Sequence, residues 1–190
     1  MKKNLLISVW MTIATTLLLG IIYPLVVTGL AQVLFKDKAN GQLLVRNGQT
    51  VGSRIIGQPF AGAVYFHSRP SAAGNGYDAA NSSGSNLGPT NQQLIDRVNA
   101  SVTGYRADRS DRPVPVDLVT TSGSGLDPEI SPAAAEFQVP RVAKQRGVSE
   151  DQIRRMVARH TEQRQLGFLG EPRVNVLELN LELDSTFPKK

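Results

Sequence analysis

Hydrophobic positions along the chain fall into two regimes. From Asn4 to Phe35 no side chain is charged, and the run LLISVWMTIATTLLLGIIYPLVVTGLAQVLF is predominantly apolar. A bilayer core takes about 20 apolar residues in a helix, so this run crosses one with length to spare. The competing reading is a cleaved signal peptide ending near Gly29-Leu30-Ala31, but a signal core has only about 7–15 residues. An uncleaved anchor is expected, spanning residues 7–28 within a first segment 1–35. Pro24 lacks an N–H and is expected to kink it. Trp10 and Tyr23 lie near its ends, where interfacial rings settle.

Beyond Lys38 the pattern shortens. QLLVRNGQTVGSRIIGQ predicts a hairpin turned at Asn47-Gly48, since Asn-Gly suits the positive φ angles of a type I′ turn. A second short strand is predicted at Ala63–Phe66. A long polar passage, HSRPSAAGNGYDAANSSGSNLGPTN, then ends in a helix start. Thr90 with Gln93 has the capping-box spacing, and Leu94, Ile95, Val98 and Val102 mark one apolar face. Ser131 and Pro132 suit a second helix start, with a break or kink expected at Pro140. Ser149 with Gln152 opens a third, carrying Ile153, Met156 and Val157. The closing VNVLELNLELD alternates through Val174 and Val176, then Leu177, Leu179, Leu181 and Leu183, which predicts a strand with a bulge at Val176-Leu177. The fold class expected is α+β: a single N-terminal transmembrane helix followed by one soluble extracytoplasmic α+β domain over residues 36–190.

Charge adds orientation. Lys2 and Lys3 precede the span, and the remainder carries 19 basic against 16 acidic side chains. That is an ordinary mixed surface, so no nucleic-acid partner is expected. The slight basic excess before the span favours a cytoplasmic N-terminus. The C-terminal domain is then extracytoplasmic, and periplasmic in a cell with two membranes. With no cysteine there is no disulfide framework and no thiolate metal site.

Candidate chemistry is sparse. His67 and His160 are far apart with no metal-ligand spacing, so surface or packing roles are expected and no metal site. Asp78, Asp127 and Glu129 would serve as acid and base or hold a cation, but acids in turns more often bond their own backbone. No Ser–His–acid arrangement is legible. Arg141, Lys144, Arg146, Arg154, Arg155 and Arg159 read as a solvated basic face.

Two patterns go further. In the apolar run Ser8, Thr12, Thr16, Gly20, Pro24 and Thr28 recur every four residues, a small-residue strip along which another helix can approach. In the second regime one motif is written twice: Ser83-Gly84-Ser85-Asn86-Leu87-Gly88-Pro89 and Ser122-Gly123-Ser124-Gly125-Leu126-Asp127-Pro128. Three readings compete. Glycine turns at helix starts bind anions such as a nucleotide phosphate, but GxxxxGK[ST] is absent and neither loop has a lysine. The residues are also those of purely structural turns and caps. Finally, preorganised loops dock partners, with Arg69 and Tyr77 as larger anchors beside Asp78, Asn86 and Asp127.

YFHSRPSAAGNGYDAANSSGSNLGPTN, DLVTTSGSGLDPEISPAAAEFQVPRVAKQRG and VARHTEQRQLGFLGEPRVNVLELNLELD, behind a lone N-terminal span, resemble the C subunit of the bacterial Kdp potassium-transporting ATPase. The resemblance covers nearly the whole chain. Glu129 departs from it, standing where His or another residue is expected in many relatives. The resemblance implies a non-catalytic subunit of a high-affinity potassium uptake pump in the bacterial inner membrane. Its implied partners are a channel-like potassium-translocating subunit, a P-type ATPase subunit, a small peptide subunit and the lipid bilayer. The family's role is assembly, and that of a catalytic chaperone raising the ATP affinity of the pump subunit. No cofactor is expected to be tightly bound, with ATP reached through the complex. Direct nucleotide contact would fall to Ser83, Gly84, Ser85, Ser122, Gly123, Ser124, Gly125 and Gln138. The small-residue strip Ser8, Thr12, Thr16, Gly20 and Thr28 would face a helix of the channel-like subunit. The rival readings are a membrane-anchored enzyme, for which no nucleophile or base is found, and a membrane-anchored extracytoplasmic binding module unrelated to transport.

Overall fold

The computed structural model describes residues 1–108 and 112–188, and the expected domain limits overlap residues 109–111 and 189–190, which lie outside them. The chain divides into two compact units, Met1–Val51 and Gly52–Lys190.

The first unit is built on one continuous 33-residue helix, Lys2–Leu34. It consists of α1 (Lys2–Thr15), a π-helical stretch (Thr16–Ile22) and α2 (Tyr23–Leu34). At 1.5 Å per residue it is about 50 Å long, well over the roughly 30 Å of a hydrocarbon core. None of its side chains is buried within the chain. In place of a break at Pro24 the helix widens just before it, and the Tyr23 N–H reaches back five residues to Leu18 O. Pro24 has no N–H for the carbonyl four residues back, and π bulges are one way a helix accommodates such a defect. A short turn, α3 (Lys36–Ala39), leads to the predicted hairpin of β1 (Leu43–Arg46) and β2 (Gln49–Ser53). Its turn residues Asn47 and Gly48 have φ of 53° and 76°, as a type I′ turn requires.

The second unit holds α4 (Gln92–Asp108), β3 (Glu129–Ile130), α5 (Pro132–Arg146), α6 (Glu150–Arg159), β4 (Thr161–Glu162), β5 (Arg173–Asn175) and α7 (Val176–Thr186). β5 is the centre of an antiparallel sheet in the order β3-β5-β4, pairing Ile130 with Val174 and Thr161 with Val174. Helices α5, α6 and α7 close over it around Phe66, Val139, Val142, Ile153, Met156, Val174 and Leu179. The α+β class stands.

Four local expectations change. α4 is capped by Asn91 rather than Thr90, because the Asn91 side chain accepts from the Gln93 N–H at 2.9 Å. α5 runs through Pro140 unbroken: Val139 and Val142 on either side are fully buried, and that packing holds the helix against the roughly 3 kcal/mol a helical proline costs. The closing segment is strand only through Asn175. The Asn175 side chain then accepts from Glu178 N at 3.1 Å and starts α7, burying Val176, Leu177, Asn180 and Leu183 at helical spacing. The supposed bulge at Val176-Leu177 is this change of period.

The fourth concerns Ala63–Phe66, which is irregular, with a turn at Ala63-Val64, and not a strand. Two buried side-chain amides take the hydrogen bonds that neighbouring strands would supply. Asn180 accepts from Phe66 N and donates to Phe66 O, both at 2.9 Å. Gln138 accepts from His67 N at 2.8 Å and donates to His67 O at 3.1 Å. A primary amide offers the same donor and acceptor as a peptide unit.

Arg146 also departs from expectation. Its side chain is 1% exposed and ion-paired to Asp184 at 2.8 Å. It donates to the carbonyls of Val64 and Phe187 and lies over the Tyr65 ring. Arg141 reaches Ala63 O, while Arg154 gathers Glu136, Glu150 and Asp151. The basic helical region is therefore partly internal tie rather than a solvated face.

Candidate functional site

The twin loops lie against each other. Ser83 N donates to Ser124 O at 2.9 Å, and the Ser82 hydroxyl donates to the same carbonyl at 3.0 Å. The middle glycines of the two motifs meet: a Cβ on Gly84 would sit 3.0 Å from Gly123 O. With Ser83 opposite Ser124 and Gly84 opposite Gly123, the segments run in opposite directions. The motifs also share a backbone bend, since Asn86 and its counterpart Gly125 have φ of 52° and 68°. Gly125 is wedged in. A Cβ there would stand 2.5 Å from Ser83 O and 2.7 Å from Ala73 N, closer than any real contact. Small residues are repeated because two backbones must approach this closely.

Further bonds set the pair rigidly. The Ser122 hydroxyl accepts from Gly125 N at 2.9 Å, and the Ser124 hydroxyl accepts from Leu126 N at 3.1 Å. Ser71 donates to Gly125 O at 2.6 Å and accepts from Ala73 N and Tyr77 N, joining the passage before the first loop to the second. Nothing in the sequence singles out Ser71, one serine in a serine-rich passage. The second loop leads into β3, with α5 starting only at Pro132, and the first is followed by Asn91 before α4. Neither glycine turn opens a helix, which corrects the expectation that both do.

Arg69 and Tyr77 are half-buried, with their polar ends bonded within the domain. Arg69 pairs with Asp127 at 2.9 Å and donates to the carbonyls of Thr120 and Thr121. The Tyr77 hydroxyl donates to Arg69 O, and burial pushes its pKa up. Asp78 caps its own turn through Ala80 N and Asn81, bonds that hold its carboxyl below the usual range. Asp127 likewise accepts from Glu129 N at 3.0 Å, the backbone role expected of acids in turns. Beside the loops is a groove of about 450 Å³ whose lining includes the pairs Arg69–Asp127 and Glu129–Arg173. Burial raises the Glu129 pKa, and the Arg173 guanidinium at 2.8 Å works against that rise.

Gln138 belongs to a different network from the loop residues. It is 1% exposed, its amide donates to His67 O and Ala134 O, and its oxygen accepts from His67 N and Arg141. Each of its donors is in use. His160 likewise packs within the domain, its Nε2 bonded to Glu182.

The small-residue strip acquires a geometry of its own. In a straight α-helix each four-residue step overshoots a full turn by about 40°, so the five steps from Ser8 to Thr28 would wind about 200° around the helix. A π-helical stretch has more residues per turn. The stretch at Thr16–Ile22 therefore turns the drift back midway and keeps the strip nearer one side. Ser8 and Thr12 donate to the carbonyls of Leu5 and Ser8, each at 2.8 Å, so those hydroxyls present compact surface rather than free donors.

Among the described residues one helix is long and apolar enough to cross a membrane, and with the α+β domain behind it the chain fits the class of single-pass membrane proteins. Comparison with known sequences makes the assignment specific. The KdpC family model, described as K+-transporting ATPase, c chain, matches residues 5–185. The chain is 68% identical over 188 residues to the potassium-transporting ATPase KdpC subunit of Koribacter versatilis, covering 99% of this chain and 97% of that one. The corresponding subunits of Acidobacterium capsulatum and Mycobacterium bovis are each 56% identical, over 96% and 97% of this chain and 98% and 99% of theirs. This chain belongs to the KdpC family.

Proposed function

We propose that the chain is the accessory C subunit of an ATP-driven potassium pump and carries no catalytic step itself. Its helix anchors it beside the channel-like subunit, its domain lies outside the cytoplasm, and it works with the P-type ATPase and small peptide subunits. It raises the pump's ATP affinity at a distance, by binding one conformational state of the assembly better than another. Such coupling is typically worth about 1–3 kcal/mol, or about 5- to 150-fold in affinity.

The observation that supports action at a distance is the pairing of the twin loops. An anion site of the expected kind needs glycine-turn N–H groups at a helix N-terminus. Here the Ser83, Gly125 and Leu126 donors are bonded within the loop pair, and the second loop leads into a strand. The test is calorimetric titration of ATP into the purified full-length chain, beside the ATP dependence of the pump with and without it. The reading expects no saturable binding to the chain alone and a lower apparent KM for ATP when it is present. Saturable binding to the chain alone near physiological ATP would overturn it.

A further inference from the structure

The hairpin between β4 and β5 ends in a tip of unusual composition. From Gln165 to Gly170 it carries no charge, and Leu166, Phe168 and Leu169 are 82%, 69% and 47% exposed. The tip is nevertheless ordered by its own backbone. Gln165 and Leu169 exchange both hydrogen bonds at 2.9 Å, and Phe168 N donates to Gln165 O at 3.2 Å. That last bond closes a turn with Leu166 and Gly167 at its centre, and their φ angles are 52° and 81°.

Both central residues of such a turn need positive φ, which favours Asn-Gly or Asp-Gly. The same chain meets that demand conventionally elsewhere, with Asn47 and Gly48 at 53° and 76°. At the tip a leucine occupies the asparagine position. A branched side chain is sterically costly there, and Leu166 recovers nothing by packing, since it is almost wholly exposed. An ordered apolar tip that holds a strained, unpacked leucine is built for a surface outside the chain.

The neck of the hairpin narrows what that surface is. Arg164 pairs with Glu171 at 2.6 Å, and Arg173 with Glu129 and Glu162 at 2.8 and 2.7 Å. No basic collar is left free to hold anionic lipid headgroups. Three side chains also fall far short of the roughly 800 Å² per partner that a free-standing interface buries, so the tip would not hold a second copy of this chain by itself. A small anchor does suffice where another contact already keeps the partner alongside and supplies a high effective concentration.

We propose that Leu166, Phe168 and Leu169 form an anchor that inserts into an uncharged apolar pocket on another protein chain of the same membrane assembly. The inference rests on the subunit reading above and adds to it the contact point. Leu166 is its central residue, held in place by the Gln165–Leu169 pair.

The experiment uses the full-length chain in lipid nanodiscs with the other chains of the ATPase, comparing wild type, Leu166→Asn and Phe168→Ser. Asparagine tolerates the turn, so Leu166→Asn is expected to melt at or above the wild-type temperature while losing affinity for the assembly at least about tenfold, the usual mark of an interface anchor. Phe168→Ser should lose affinity similarly without a change of fold. A wild-type complex that both variants leave intact would overturn this inference alone. No wild-type complex at all would overturn the subunit reading and this inference with it. Tip-dependent flotation with protein-free phosphatidylethanolamine–phosphatidylglycerol vesicles, with affinity for the assembly unchanged, would overturn it in favour of a lipid contact.

Discussion

Adding one methyl group at Gly125 tests whether the twin loops are repeated in order to touch. Gly125 is buried, with φ of 68°, and a Cβ would lie 2.5 Å from Ser83 O and 2.7 Å from Ala73 N. Both obstacles are backbone, so no side chain can swing aside. The left-handed φ costs an alanine about 1–2 kcal/mol. Relieving the overlap pushes the loops apart and gives up the Ser83 N to Ser124 O bond, worth about 1 kcal/mol net. Gly125→Ala should therefore destabilise the domain by about 2–3 kcal/mol, and for a unit of this size lower its melting temperature by about 5–10 °C. Gly84→Ala should cost less, about 1 kcal/mol by the same hydrogen-bond reckoning, because its φ is ordinary and its Cβ stands 3.0 Å from Gly123 O. Gly123→Ala is the control: its Cβ would meet nothing within 4 Å, and a change of about 0.5 kcal/mol or less is expected. The assay is thermal unfolding of the full-length chain in detergent, followed by circular dichroism. A Gly125→Ala protein as stable as wild type, or a Gly123→Ala protein equally damaged, would refute the close-approach argument.

Arg146→Met should cost about 3–5 kcal/mol in denaturant unfolding, because it leaves Asp184 and two backbone carbonyls without their buried partner. Arg146→Lys should not restore the loss, since an ammonium lacks the planar fork that reaches all three acceptors. Glu182 gives the pH dependence. Bonds first from Arg159 and then from His160 hold its carboxyl below the usual range. A depressed carboxylate adds stability that is present above its unfolded pKa and lost as pH falls through its folded one. Unfolding midpoints compared at pH 7, 5 and 3 should fall more steeply toward acid in wild type than in Glu182→Gln. Pro24→Ala removes the cause of the π-helical stretch, so the helix should return to α-helical register and co-purify less well with the other ATPase chains, as should Gly20→Leu. Unchanged recovery of both would separate the strip from assembly.

What the sequence made legible was whatever a local pattern encodes. The apolar helix, the Asn47-Gly48 hairpin, the Ser131 cap and the Ser149–Gln152 capping box each depend on residues a few positions apart, and each is present. Two of the misreadings trace to buried polar side chains, Asn180 and Gln138, that bond to backbone. Asn180 is buried among leucines on α7, so VNVLELNLELD looks like an alternating strand although its buried positions keep helical spacing. The same Asn180, with Gln138, supplies the peptide-like bonds that make the Phe66–His67 segment resemble a strand with no strand beside it. Two amides, each over seventy residues from the backbone they hold, leave no periodic trace.

The loop motif shows the same limit from the other side. Its repetition is plain in the sequence, and its residue types favour structural turns and caps over a phosphate site, but repetition alone does not exclude an anion site or a docking surface. What separates these readings is that Gly84 faces Gly123 and that Gly125 is wedged against Ser83 and Ala73. Once the glycines are explained by contact with each other, the same residues no longer argue for a phosphate. Leu166 is the opposite case. Asn47 shows what this chain places at such a turn when only the turn matters, and Leu166 gains no packing within the chain to justify the exchange. Glycine repeated where backbones touch is accounted for inside the molecule. Leucine held at positive φ in solvent is not, so a search for this chain's partner contacts should begin at the hairpin tip rather than at the glycines.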